Sequence, residues 1–194
     1  MSKELIAKQT AGILRAVMNQ PHWQKDELQK GFSKALLQIR QSAGSKEIYL
    51  ESLLRNVTFL FENTNRAKAF LKQCIEEEKF SSQESFHKVM VEVPRQVKES
   101  NFLTENMPRF KELVYKGSTI EEQVDHAEMV YFNSKLVNDL MIDFIGTFLH
   151  PDNQKPMESY MEYASDVVVD AVFHYCKAFS GFIIEEITSS NVSK

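Results

Sequence analysis

Glycine and proline are scarce, six and five in 194 residues, and no run alternates apolar with polar residues between turn signals. Strand hairpins need both features, so the chain reads as all-α. Only two cysteines occur, Cys74 and Cys176, each on the apolar side of a helical pattern. That argues against a disulfide scaffold and for buried thiols in a reducing compartment, the cytoplasm. No stretch offers ~18 uninterrupted apolar residues, and the first residues lack the apolar core of a secretory leader, so no membrane span is expected. The sequons at Asn56 and Asn191 then read as coincidence. The scattered glycines make no phosphate loop, and there is no Gly-x-Ser-x-Gly elbow. Cys176 and His174 are two residues apart, a spacing at which side chains on a helix do not face each other.

What is present is apolar helix surface: 43% hydrophobic side chains, with 14 Phe, 6 Tyr and 8 Met. A chain this long buries roughly 70% of its unfolded surface and needs no metal or disulfide to fold. The pattern centres on residues 118–187, read as two long antiparallel helices turning at His150–Pro156. Overlapping capping boxes, Ser118 with Glu121 and Thr119 with Glu122, mark the start of the first arm. Ile120, Val124, Ala127, Tyr131, Val137, Met141, Phe144 and Phe148 make its apolar side, and Asp125, Glu128, Lys135, Asp139 and Asp143 its polar one. The second arm is apolar over most of its circumference. Tyr160, Phe173, Phe179, Phe182 and Ile183 stand out on it, with a narrow polar strip that includes Asp170 and His174. Such a helix must be surrounded, by its own domain or by a partner.

Residues 1–117 read as shorter helices packed on that hairpin. Ser2 starts the first, and Pro21 opens the second, with Leu28, Phe32, Leu36 and Ile39 inward. After a turn at Gly44, a third helix runs from Lys46 to Phe61. Asn63-Thr64-Asn65 breaks it from a fourth carrying Phe70, Leu71, Cys74 and Ile75. Ser81 with Glu84 caps a fifth, which Pro94 should kink or end. Asn101–Met107 reads as a loop, and Pro108 begins a short helix to Gly117. The expectation is one helical domain over residues 1–194, about eight helices, with 188–194 a frayed tail. A spacing near 40 residues between the first helix pairs fits a solenoid, but no residue similarity supports it.

Charge is uneven: residues 1–97 hold 15 Lys and Arg against 11 Asp and Glu, while residues 98–194 hold 8 against 16. Either the front half meets an acidic partner or the two halves are oppositely charged surfaces. The basic stretch around residues 25–61 fits a helix-turn-helix only loosely, because its leucines are core, so nucleic-acid binding is a minor alternative. Metal-site candidates are Glu84/His87, Glu122/His126 and Asp170/His174. The first has the Glu-x-x-His spacing of di-iron bundles without its second copy. The other two fall about six residues, roughly 9 Å, out of step across the hairpin. No metal or other cofactor is therefore expected. An apolar ligand between helices is conceivable for this composition, although aromatics at helical spacing are core far more often than pocket.

Glu185-Glu186 followed by Thr188-Ser189-Ser190-Asn191-Val192-Ser193-Lys194 resembles the acidic, Ser/Thr-containing C-terminal signals of some bacterial secreted effectors, over about ten residues. The resemblance implies a secreted effector as an alternative. The main reading leans away from an enzyme. It is a protein-interaction module (an adaptor, a chaperone-like subunit or a regulatory protein) that meets a protein partner or second copy through Tyr160, Phe173, Phe179, Phe182 and Ile183. The other alternative is a helical ligand- or metal-binding enzyme using the carboxylate and histidine candidates.

Overall fold

The computed structural model describes residues 19–77, 83–114 and 119–149. They are all-α. After a 3-10 turn at Pro21–Trp23 come α1 (Lys25–Ser42), α2 (Lys46–Glu76), α3 (Gln83–His87), α4 (Val93–Glu99), α5 (Phe102–Val114) and α6 (Ile120–Leu149). That is six α-helices among the described residues. The expected first helix, the turn at 150–156 and the second arm of the hairpin lie outside them.

The frame is α2 packed on α6. Lys46 meets Glu121, Tyr49 meets Glu128 and Asn63 meets Asn138, so the two helices run parallel. Along α2 the buried positions Leu53, Val57, Leu60, Thr64, Ala67, Leu71 and Cys74 alternate steps of four and three. On α6, Ala127, Tyr131, Asn138, Met141 and Ile145 are buried with the same rhythm. This is the spacing that keeps one seam of a helix facing a neighbour. Thr119 and Glu122 form the expected reciprocal cap, the Thr119 amide donating to Glu122 Oε2 at 3.0 Å and the Glu122 amide to Thr119 Oγ1 at 3.2 Å.

The break expected at Asn63-Thr64-Asn65 is absent, because α2 continues through it for 31 residues. Thr64 turns its hydroxyl back onto the Leu60 carbonyl at 2.8 Å, and Asn63 is matched across the interface by Asn138 at 2.9 Å. Polar residues that would favour a turn in isolation are satisfied inside the helix pair, which removes their reason to leave it. The loop expected at 101–107 is also helical. Ser100 receives the Phe102 amide, and α5 runs on with Pro108 inside it. Pro108 removes one amide from the ladder, and Phe110, edge-on to Phe61 at 5.1 Å, docks α5 on α2.

Pro94 does not end the helical run: it stands in the first turn of α4, with the pattern widened just before it. A π turn at Lys88–Glu92 joins α3 to α4, the Val93 amide reaching back five residues to the Lys88 carbonyl. The widened turn lies immediately ahead of the proline, where an ordinary ladder would drive its ring against the Met90 carbonyl. Val89, Val93 and Val97 are buried from this strut. It lies close over α6 at Gly146, where a Cβ would sit 3.4 Å from Met90 Sδ and 3.6 Å from Phe86 Cε2. Pro21 opens only the 3-10 turn, and α1 begins at Lys25.

Candidate binding cleft

Helix α1 has its apolar residues at the expected spacing, yet none of its side chains is fully buried. It runs antiparallel to α6 and is held at three points. At one end Asp143 Oδ2 accepts from Trp23 Nε1 at 2.9 Å and from His22 Nε2 at 2.8 Å. At the other, Glu128 Oε1 receives Arg40 Nη2 at 2.8 Å and the Tyr49 hydroxyl at 2.7 Å. Between them Phe32 meets Phe132, with ring centroids 4.1 Å apart. The polar side expected on α6 is therefore not a plain solvated face, since two of its carboxylates anchor α1. With Lys46–Glu121, these contacts join the basic front of the chain to the acidic α6. Arg40 and Lys46 of the basic front thus meet carboxylates of the same chain.

Between those anchors α1 spans a cleft of about 630 Å³. Leu28, Gly31, Phe32 and Ala35 form one wall, Phe132, Leu136 and Ile142 the other, and Met90 and Pro94 close one side. The lining also includes a polar string. Asn63 Nδ2 donates to Asn138 Oδ1 at 2.9 Å, and Thr64 Oγ1 lies 3.1 Å from the same oxygen. Asn138 Nδ2 donates to Asp139 Oδ1 at 3.1 Å, and Lys135 Nζ to Asp139 Oδ2 at 2.6 Å. Burial lowers the Lys135 pKa, but the charge and hydrogen bond of Asp139 outweigh it, and the net value is raised. Lys135 is thus held as a cation. One atom in this string has no partner: Asn63 Oδ1, on a residue only 3% exposed.

The residues singled out from the sequence fare differently. Tyr160, Phe173, Phe179, Phe182, Ile183, Asp170 and His174 lie outside the described residues. Glu84 and His87 are exposed on α3. Their helix touches α6 near Gly146, and a rise of ~1.5 Å per residue puts Glu122 roughly 36 Å away along that helix. Glu122 is used as a cap. The structure does not bring Glu84 and His87 together with Glu122 and His126, and among the described residues no three His, Cys, Asp or Glu side chains could share a metal ion. Cys74 is buried as a thiol. No helix among the described residues is long and apolar enough to cross a membrane.

Sequence reasoning missed Asn63, Asn138, Trp23 and Asp143 as cleft residues. A signal for Asn63 was there: the alternation of four and three runs unbroken through Thr64, which marks one helix rather than two. Nothing local marks Trp23 and Asp143, 120 residues apart. Comparison with models of protein families, with curated proteins and with solved structures finds no match.

Proposed function

We propose that the protein acts by binding another protein, as an adaptor, chaperone-like subunit or regulatory module, rather than by catalysis. The observation that carries this reading is α1, an amphipathic helix held at a few points with its apolar side only half covered. Leu37 on α1, Ile48 on α2 and Val91 in the π turn are each half exposed or more, at 54%, 51% and 50%. Apolar helix surface left open in this way suits a helical partner or a second copy.

In the fuller form of the proposal, residues 156–187 make the second arm of a hairpin with α6, bringing the domain to about eight helices. Tyr160, Phe173, Phe179, Phe182 and Ile183 anchor the partner, in a reducing cytoplasm that keeps the cysteines as thiols. Support for the arm is its sequence pattern, apolar on nearly all sides. Light scattering of wild type against Phe173→Asp and Phe179→Asp tests it. The expected outcome is loss of self- or partner association with the helical circular dichroism unchanged. Variants that unfold would assign these residues to the core and sink the interface.

A further inference from the structure

We propose that the cleft under α1 is the seat of residues 1–18 of the same chain, docked there as an amphipathic helix antiparallel to α1. The proposal does not depend on the protein-binding reading, whose half-exposed Leu37, Ile48 and Val91 do not line the cleft.

The chain turns a corner just ahead of α1. Gln20 and Gln24, on either side of the Pro21–Trp23 turn, are both extended, with ψ of 146° and 145°, so a helix ending at Met18 cannot run straight on into α1. Trp23 and His22 pin that corner to Asp143, at one end of the cleft. Residues 19–24 make a short connector, and connectors of ~2–8 residues join helices that lie side by side. The lengths agree as well. The cleft is lined along α1 from Glu27 to Gln38, a rise of roughly 16 Å, and Ile6 to Val17 covers the same number of residues.

The residue pattern decides which segment fits. On a helix, Ile6, Ile13 and Val17 fall on one line with Leu14 and Met18 beside it, while Lys8 and Arg15 fall on the opposite side. A trough walled by Leu28, Phe32, Phe132, Leu136 and Ile142 hides one side of a helix and leaves the other in water, as this pattern requires. Residues 156–187 follow the same end of α6, but their pattern is apolar nearly all round, and a trough would leave much of it wet. Charge points the same way. Residues 1–18 hold Lys3, Lys8 and Arg15 against Glu4, a net +2, whereas residues 156–187 hold one Lys against six Asp and Glu, a net −5. With one Lys against six carboxylates, also −5, α6 favours the first segment over the second.

The test places Ile13→Cys and Gly31→Cys together in the full-length protein and adds a short bis-maleimide. Pairing Val17 with Glu27 and Ile6 with Gln38 sets position 13 opposite position 31, and packed helices lie about 8–10 Å apart, within its reach. A Cβ at Gly31, which lines the cleft, meets nothing within 4 Å, and a helix gains from losing a glycine, so α1 stays intact. The expected product is a bridge between positions 13 and 31 inside one chain, located by peptide mass spectrometry. A bridge from position 31 to Cys176 would seat the second arm in the cleft, and a 13–31 bridge between two chains would seat a second copy. No bridge from position 31 would leave the cleft to another occupant. Hydrogen exchange without the cross-linker gives a second reading. Ile13→Asp is expected to quicken the amides of residues 6–17 about tenfold or more while those of α2 stay slow. Equal acceleration in α2 would make the segment part of the frame, and no acceleration would leave it undocked. Each result other than the two expected ones defeats the proposal.

Discussion

Helices α1 and α2 are joined by three residues, and both present apolar side chains at helical spacing, yet they are built into the molecule in opposite ways. α2 buries a continuous seam from Tyr49 to Cys74 against α6. Each fully buried leucine in it contributes about 1.5–3 kcal/mol from burial alone. α1 buries no residue fully and is held by a ring contact and by hydrogen bonds at its two ends. Apolar periodicity therefore says that a helix has a side to hide and not how completely it will be hidden. The difference produces the cleft: a helix that packed like α2 would fill the space with its own side chains.

The sharpest way to break this comparison is to remove the same side chain from each helix. Leu53→Ala, at a fully buried position of α2, is expected to cost about 2–5 kcal/mol in urea unfolding, and Leu37→Ala on α1 less than about 0.5 kcal/mol. Similar losses would show α1 to be as integral as the pair beneath it.

A smaller effect should separate the two regions in time. Asp143→Ala leaves the buried Trp23 Nε1 without its carboxylate, at about 1–3 kcal/mol. Hydrogen exchange of the α1 amides should quicken while that of α2 stays slow, since loosening one anchor opens α1 locally. Uniform acceleration in both would mean that the helices open as one unit.

The smallest effect concerns the other anchor. Burial first, then the Glu128 hydrogen bond and charge, push the Tyr49 hydroxyl far above its ordinary 10.0 despite the opposing Arg40. The folded value lies above the unfolded one, so this contribution is complete below about pH 10 and is lost as pH rises toward the folded value. Tyr49→Phe should cost about 1 kcal/mol at neutral pH and make the alkaline fall in stability shallower. Burial raises Tyr131 too, so some slope should remain. An unchanged alkaline profile would show that Tyr49 does not titrate with unfolding.

Local signals were legible where the competing forces are local. The cap at Thr119–Glu122, the turn at Gly44 and the apolar sides of α1 and α6 could be read from the residues themselves. The errors share one cause. Asn63-Thr64-Asn65 and Pro108 are turn or breaker signals that tertiary contacts absorbed. Asn138 sits at a seam position of α6 and meets Asn63 and Thr64, a buried polar match that pins the register of a parallel pair. Neither asparagine announces that role alone. The candidate site was illegible for the same reason, because its lining is drawn from α1, α2, α6 and the π turn at once.

The sequence by itself determined helical content, helix polarity and most of what each helix needs to bury, because caps and the 3.6-residue period act within a few residues. Tertiary structure alone decided that α2 runs unbroken beside a parallel α6 and that α1 stands off as a bridge. Those outcomes hang on partners 75 and 120 residues apart, Asn63 with Asn138 and Trp23 with Asp143. Pairing at that distance is chosen by how whole surfaces fit, which no short window of residues encodes.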